Sequence, residues 1–122
     1  MIKTAQALTA WFSRFGVPVY LENDVPDGAE PPYITIPLKD PDWRKQVSYQ
    51  IMLWDRATSN IGLINRADAI ANAVGEGVRL PFDGGLLVMR IDTDTPAQLS
   101  ADDDFRYVRL PFVLNAYHMP GA

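Results

Sequence analysis

The sequence predicts one α+β domain, in which a single antiparallel, or at most mixed, sheet carries two helices on one face. Helix-like and strand-like segments follow the order α-β-β-β-α-β-β-β, so there are too few helices to connect successive strands as parallel crossovers. Strands grouped by short turns indicate hairpins instead. The 122 residues, 48% of them hydrophobic, suffice for one core, and a second domain is not expected.

An amphipathic helix is predicted over Ile2 to Phe15, because apolar residues recur there at three- and four-residue spacings. Gly16 and Pro18 end this helix, since neither residue continues a helix readily. A short strand follows from Val17 to Leu21. The next segment, 22–32, is rich in proline, glycine and acid, which predicts a solvated loop.

Two further strands complete the first half of the predicted sheet. Tyr33 to Leu38 resumes extended structure, and strict alternation over Gln46 to Asp55 gives the clearest strand of the chain. That third strand is expected to be central and paired on both sides. Between these two strands, 37–45 predicts a long hairpin with a charged tip that also holds Trp43. The tip is a candidate contact surface.

A second amphipathic helix is predicted in the middle of the chain. Its N-cap is expected among residues 58–60, which are Thr, Ser and Asn, and it is expected to end at Gly75 or Gly77. Its predicted apolar stripe consists of Ile61, Ile64, Ala67, Ile70, Ala71 and Val74.

Three alternating apolar runs predict the second half of the sheet. A turn over 83–85 joins the first two runs as a hairpin. Pro81 and Pro111 lie inside the first and third runs, which indicates edge positions or bulges where the ladder needs no donor. The runs are Val78 to Phe82, Leu86 to Asp92 and Phe105 to Tyr117.

The composition narrows the possible functions. There is no cysteine, and His118 is the single histidine, so thiol catalysis, disulfides and zinc sites are not expected, and no cofactor is predicted. A net charge of −4 disfavours general nucleic-acid binding, which needs many cations against phosphate. No apolar run approaches the roughly twenty residues of a membrane span. With no apparent secretory signal, the expected compartment is the cytoplasm.

Asp92 and Asp94 form the most tempting catalytic pattern. A strand followed by Asp-Thr-Asp-Thr resembles the nucleophile loop of haloacid-dehalogenase-type phosphatases, whose first aspartate attacks phosphorus and whose second is the acid or base. Those enzymes also need a parallel sheet and a downstream lysine, whereas no lysine follows Lys45 here. A polar loop that closes a hairpin is the favoured interpretation, and an enzyme is not expected.

Acidic side chains concentrate in two predicted loops, which hold nine of the 15 acids. The ordinary polarity of loops explains either one alone. The second is long for a compact domain, and long loops often bind a partner, so it is a candidate interaction or lumen-facing segment. The first loop holds Glu22, Asp24, Asp27 and Glu30, and the second holds Asp92, Asp94, Asp102, Asp103 and Asp104.

Apolar residues occupy both faces of the last predicted strand. Val108 and Leu110 lie on one face, whereas Tyr107 and Val113 lie on the other. Trp54 similarly lies on the second face of the third strand. A monomer with helices on one face only would expose these residues, which favours self-association.

Several short sequence motifs are distributed along nearly all 122 residues. They are the amphipathic start Ile2 to Phe15, Gly16-Val17-Pro18-Val19-Tyr20, Pro32-Tyr33-Ile34, Leu53-Trp54-Asp55 before a Thr/Ser-started helix with Arg66-Ala67-Asp68-Ala69-Ile70, Leu86 to Arg90, Thr95-Pro96-Ala97-Gln98, and a closing strand with Arg106, Arg109 and Tyr117. In this order they resemble the small tail terminator, or tail completion, proteins of long-tailed bacteriophages and prophages, also described as minor capsid proteins.

The resemblance implies one tail-terminator-like α+β domain over residues 1–122. It implies a structural virion protein, typically a hexameric ring, that caps the tail tube and provides the joining surface for the head connector. Its implied partners are copies of itself, the tail-tube protein and the connector protein, with no membrane and no specific nucleic acid. Such a protein is assembled in the host cytoplasm and lies in the virion tail.

Two sets of residues are expected to act in such a ring. Acids near the channel would repel the DNA that passes through and keep it from adhering. The acids are Asp92, Asp94, Asp102, Asp103 and Asp104, and the expected contacts with a neighbouring subunit or the tail tube are Lys39, Asp40, Trp43, Arg44 and Lys45. Three alternatives stay open: another head-tail joining (neck) protein, a generic acidic oligomeric partner-binding module and, more distantly, a small Asp-dependent phosphatase.

Overall fold

The computed structural model describes residues 2–39, 46–56, 59–101 and 105–118. Within these residues it contains two α-helices, seven β-strands and two single-turn 3₁₀-helices, Ser13–Phe15 and Glu22–Asp24. The longer elements are α1 (Ile2–Phe12), β1 (Val19–Leu21), β2 (Tyr33–Ile36), β3 (Val47–Asp55), α2 (Ile61–Val74), β4 (Val78–Phe82), β5 (Gly85–Ile91), β6 (Gln98–Ala101) and β7 (Arg106–His118).

All seven described strands belong to one mixed sheet. Six follow the order β1-β2-β3-β7-β5-β4, and β6 pairs with β7 beside this row. β1 runs parallel to β2, and the other described pairings are antiparallel. The predicted α+β class with a single sheet and two helices therefore fits, but the sheet is mixed and its strand sequence gains β6. The predicted central position of β3 is confirmed, since β2 and β7 flank it.

The strand β7 pairs with three other strands, β3, β5 and β6. One flank pairs with β3 over 106–114, whereas the other pairs with β6 over 106–109 and with β5 over 112–118. Pro111 lies between these two stretches, and its carbonyl accepts the N–H of Asp92 at 3.0 Å. In a β-strand, the N–H and C=O groups of one residue point towards the same neighbouring strand. The missing N–H of Pro111 therefore faces the side of Asp92, at the end of the β5 ladder.

The two prolines therefore differ in position. Pro81 lies in β4, an edge strand, as the sequence predicts. For Pro111 the edge prediction is wrong, because β7 is flanked on both sides. The sheet tolerates Pro111 because the missing donor falls at the junction of two neighbouring strands rather than within a continuous ladder.

Both helices pack on one face of the sheet. The side chains of β3 and β7 alternate, so that Tyr49, Ile51 and Leu53 point into the same core as the even-numbered residues 108–116. The rings of Phe12 and Phe112 meet edge to face with centroids 6.1 Å apart. The helices contribute Leu8, Trp11, Phe12, Leu63, Ile70 and Val74 to this core.

The buried stripe of α2 is offset from the predicted one. Leu63 is fully buried, whereas Ile61 and Ile64 are 67% and 45% exposed. The side chains that pack into the core follow the spacing 63, 67, 70 and 74, of which Ala67 is partly buried, and this leaves 61 and 64 on the flanks of the helix. At the helix start, the hydroxyl of Ser59 accepts the N–H of Ile61 at 3.2 Å, and Gly75 closes the other end.

Several predicted boundaries change. The α-helical part of the first helix ends at Phe12 and continues as a 3₁₀ turn to Gly16, whose φ of 82° suits glycine. The predicted loop 92–104 includes strand β6, which is paired with β7. The hairpin tip 40–45 lies outside the described residues. Among the described helices none is long and apolar enough to cross a membrane.

Candidate functional site

The face of the sheet opposite the helices is the candidate functional surface, and we call it the open face. Neither α1 nor α2 packs on it, because the buried side chains of both helices belong to the core on the other side. Cross-strand register places Tyr33, Trp54 and Tyr107 in one row across this face. Arg79, Val88 and Asn115 form another row. The face thus combines aromatic, aliphatic and basic residues.

An aromatic cluster covers one end of the open face. The ring centroids of Tyr20 and Tyr33 are 5.6 Å apart, and those of Tyr33 and Trp54 are 6.2 Å apart. The Trp54 ring also lies 5.0 Å from Tyr107 and 6.2 Å from Phe105. All five side chains are half-buried. Trp54 therefore shields part of the second face of the sheet.

Two arginines lie at the other end of the open face, next to the β4 edge. Arg79 and Arg90 flank Val88 and, with Glu76 and Gly77, line a recess of about 310 Å³ that we call the arginine cleft. The stem of Arg90 lies against Gly77, since a Cβ on that glycine would be 3.2 Å from the Arg90 Cγ. Among the described residues, no ion pair engages either guanidinium.

A third basic position lies near the middle of the face. Arg109 lies over the ring of Tyr107 at 5.7 Å and helps to line a polar recess of about 340 Å³ with Glu22 and Lys39. Lys39 donates to the carbonyl oxygen of Ser48 at 2.9 Å. Of the five predicted contact residues, Lys39 is therefore placed at this recess, whereas Asp40, Trp43, Arg44 and Lys45 lie outside the described residues.

The two described acids of the second loop belong to a turn. Asp92 accepts the N–H of Asp94 through Oδ1 and the hydroxyl of Thr95 through Oδ2, both at 3.0 Å. Both of its oxygens thus satisfy local donors, as in an Asx-turn. The preceding strand β5 has antiparallel neighbours rather than the parallel ones that the phosphatase loop requires. Asp102, Asp103 and Asp104 lie outside the described residues.

The first acidic loop lies beside β1, at the edge of the sheet opposite β4. Glu22, Asp24, Asp27 and Glu30 are all exposed, as predicted for a solvated loop. Glu30 pairs with Arg56 at 2.9 Å. The described part of the chain shows no ion pair for the other three. In that same part, no group of three or more His, Cys, Asp or Glu residues could hold a metal ion.

One ion pair that the sequence does not reveal ties α1 to the β4–β5 turn. Lys3 donates to the carboxylate of Asp83 at 2.7 Å, and this hydrogen bond lowers the pKa of Asp83 below its ordinary value of 3.8. Both side chains are well exposed, at 54% and 78%. This ion pair links α1 to the turn at the protein surface and is not part of the open face.

The sequence predicts the face of the sheet on which Arg79 and Arg90 lie, although not the cleft itself. In β4, Arg79 and Pro81 alternate with Val78, Leu80 and Phe82, which places the arginine opposite the core. The same argument applies to Arg90 in β5. What the alternation does not show is that β4 and β5 are neighbours with Arg79 and Val88 in register.

Neither a protein-family model nor a curated protein matches the sequence. A solved protein structure has a similar fold, with a TM-score of 0.60, 13% identity, and coverage of 98% of this chain and 94% of that one. At this identity the likeness shows the fold alone. The class defined by the fold and the surface is a small α+β domain with two helices on one side of a mixed sheet and an open second face.

Proposed function

We propose that the protein is a structural virion protein, a ring-forming subunit that caps the tail tube of a long-tailed phage and offers the joining surface for the head connector. The open face carries this proposal. Antiparallel sheets tolerate water on one face when that face is polar. Here the uncovered face holds half-buried aliphatic side chains and a tyrosine that is 44% exposed, Tyr117. A partner surface would remove them from water.

The apolar part of this face is continuous across two strands. Leu86 and Val88 of β5 lie beside Tyr117 and Asn115 of β7, respectively, and Val113 follows on the same side of β7. All are half-buried except Tyr117, which is exposed. Because both faces of the sheet carry apolar residues, we propose that a second copy of the chain covers the open face.

The sequence resemblance makes the proposal specific. The chain resembles tail terminator proteins along nearly its whole length, and the α+β fold with two helices on one face is compatible with that family. Under this proposal the ring is typically hexameric, its partners are the tail-tube and connector proteins, and it lies in the virion tail. Another neck position or a generic acidic partner-binding module would use the same face.

The phosphatase alternative has less support. Both oxygens of the Asp92 carboxylate accept hydrogen bonds from their own turn. A nucleophile would need one of these oxygens directed at phosphorus. We therefore propose a structural protein rather than an enzyme.

The mass of the purified protein in solution tests the proposal, measured by light scattering over a range of concentration and salt and followed by negative-stain imaging. Closed rings with a central hole are expected, alone or on tubes of the tail-tube protein from the same genome. Val113→Glu should prevent ring formation, because it places a charge on the open face. Ala73→Glu, on the exposed side of α2, is the matched control. A chain that stays monomeric and does not bind tail tubes would overturn the proposal.

A further inference from the structure

We infer that the arginine cleft is a binding site for carboxylates, and that its occupant is the acidic loop 22–30 of a second copy of this chain. This inference rests on the proposed ring-forming function and specifies which two surfaces meet. Three observations carry it: two arginines that take part in no ion pair within the described residues, the exposed acids, and the placement of the two groups at opposite ends of the strand order.

The cleft suits an anionic partner. Arg79 and Arg90 line it from adjacent strands, with Val88 between them. Contact with Gly77 holds the stem of Arg90, so less side-chain entropy is lost when the guanidinium binds. Glu76 also lines the cleft and leaves it with one net positive charge. A guanidinium matches a carboxylate through two parallel hydrogen bonds.

The acidic loop offers the complementary charges. Glu22, Asp24 and Asp27 are exposed and, within the described residues, take part in no ion pair. Glu22 helps to line the polar recess with Arg109 and Lys39, and Glu30 pairs with Arg56, so the carboxylates that we assign to the contact are Asp24 and Asp27. A short 3₁₀ turn over Glu22–Asp24 and a hydrogen bond from Ala29 to Pro26 give the loop a defined backbone.

The two surfaces do not meet within one copy. The loop follows β1, and the cleft is formed by β4 and β5, at the opposite end of the strand order. Among the described residues, no ion pair joins an acid of the loop to either arginine. The charge pairing that we infer therefore joins two chains.

The contact suits the ring of the proposed function. When a surface of one copy binds a different surface of the next copy and is not answered by the reverse pairing, the contact is heterologous and repeats from copy to copy. Such contacts close into a ring if the rotation between copies divides a full turn. The net charge of −4 disfavours nucleic acid as the occupant, since phosphates would also meet Glu76 and the acidic loops.

Charge exchange tests this inference. The basic-side variant combines Arg79→Glu with Arg90→Glu, and the acidic-side variant combines Asp24→Lys with Asp27→Lys. Each variant alone should raise the concentration at which the chain associates by about tenfold or more, because like charges then face each other. Mixing the two in equal amounts should restore association, since both kinds of contact in a mixed ring are again oppositely charged.

Two controls accompany the exchange. Arg66→Glu with Asp68→Lys swaps charges on α2 and should leave association unchanged. Circular dichroism and thermal unfolding of every variant exclude misfolding. Light scattering is the readout, at low salt and in 0.5 M salt, where the wild-type contact should weaken because charges are screened.

The outcomes separate the inference from the proposed function. Rings that persist in both variants, or a mixture that does not regain association, would overturn the charge contact and leave ring formation intact. A wild-type chain that stays monomeric at every concentration overturns the inference, while binding to tail tubes still tests the proposed function. If duplex DNA binds the wild-type protein and Arg79→Glu with Arg90→Glu abolishes that binding without affecting association, the occupant is nucleic acid.

Discussion

The indole N–H of Trp54 donates a hydrogen bond to the hydroxyl of Thr35 at 3.0 Å, which joins β3 to β2 on the open face. Thr35 is a polar residue only 4% exposed, and the Trp54 ring packs against Tyr33 and Tyr107. The hydrogen bond thus fixes the orientation of the largest ring in the aromatic cluster. The hydrogen bond therefore links the aromatic cluster to the buried side chain of Thr35.

Thr35→Val should lower the free energy of unfolding by about 1–2 kcal/mol, because the indole N–H of Trp54 loses its acceptor in a partly buried position. Thr35→Ser keeps a hydroxyl and should retain more of the stability. Denaturant unfolding followed by tryptophan fluorescence measures both variants. A larger loss in Thr35→Ser than in Thr35→Val would mean that the methyl group of Thr35, rather than its hydroxyl, matters.

Gly85→Ala should destabilise the fold by about 1–3 kcal/mol or more, since overpacking displaces well-packed neighbours. A Cβ at this position would collide with the carbonyl oxygen of Tyr117 and lie 2.6 Å from the Phe82 ring. Gly28→Ala is the control, because nothing lies within 4 Å of the added carbon. Thermal unfolding of the two variants should separate them clearly, and similar melting temperatures would contradict the β5–β7 register.

Leu63→Ala should cost about 2–5 kcal/mol of unfolding free energy, as expected for a large apolar side chain removed from a core. Ile61→Ala should change stability by no more than about 0.5 kcal/mol, because Ile61 is 67% exposed. Urea unfolding of both variants tests the offset stripe of α2. The reverse ranking would support the stripe predicted from the sequence instead.

The Lys3–Asp83 pair should stabilise the fold at neutral pH and lose its effect in acid. The folded-state pKa of Asp83 lies below its ordinary value of 3.8, so the contribution is present above that value and disappears as the pH falls through the folded-state pKa. The difference in melting temperature between wild type and Asp83→Asn, small at neutral pH for an exposed pair, should shrink toward pH 3 and in high salt. Asp68→Asn serves as the control and should show no such trend.

Asp92→Ala should lower stability by about 1 kcal/mol, because the N–H of Asp94 and the hydroxyl of Thr95 lose their shared acceptor. Asp92→Asn retains one carbonyl oxygen and should lose less. Neither variant nor the wild type is expected to release phosphate from a phosphomonoester with Mg²⁺. Magnesium-dependent release that Asp92→Asn abolishes would favour the phosphatase alternative.

Local patterns predict most of the fold. Alternation finds β3 and β4 to within a residue, and the predicted limits of α2 match because glycine follows directly at 75. The segment Gln98–Ala101 lacks an alternating pattern and is largely exposed, so β6 is formed by pairing with β7 rather than by local preference. The parallel pairing of β1 with β2 likewise depends on a distant contact that no local pattern encodes.

The candidate site is predicted less completely. Apolar residues on the second faces of β3 and β7, such as Trp54 and Val113, predict a face without helices, and neither of the two described helices packs there. The arginine cleft needs the register of β4 against β5, which brings Arg79 next to Val88. Asp92 and Asp94 match a catalytic pattern in the sequence, but a turn-forming aspartate has the same local sequence signature as a catalytic one.

The position of β7 also constrains the time at which the fold can form during synthesis. Among the described residues, the strands β1–β3 and the hairpin β4–β5 share no ladder, and β7 is the strand that pairs with both groups. While the ribosome still holds β7, the nascent chain contains two strand groups whose inner edges are unpaired. Unpaired strand edges can pair with other chains. Completion of the sheet must therefore await the emergence of the segment 106–118 from the ribosome.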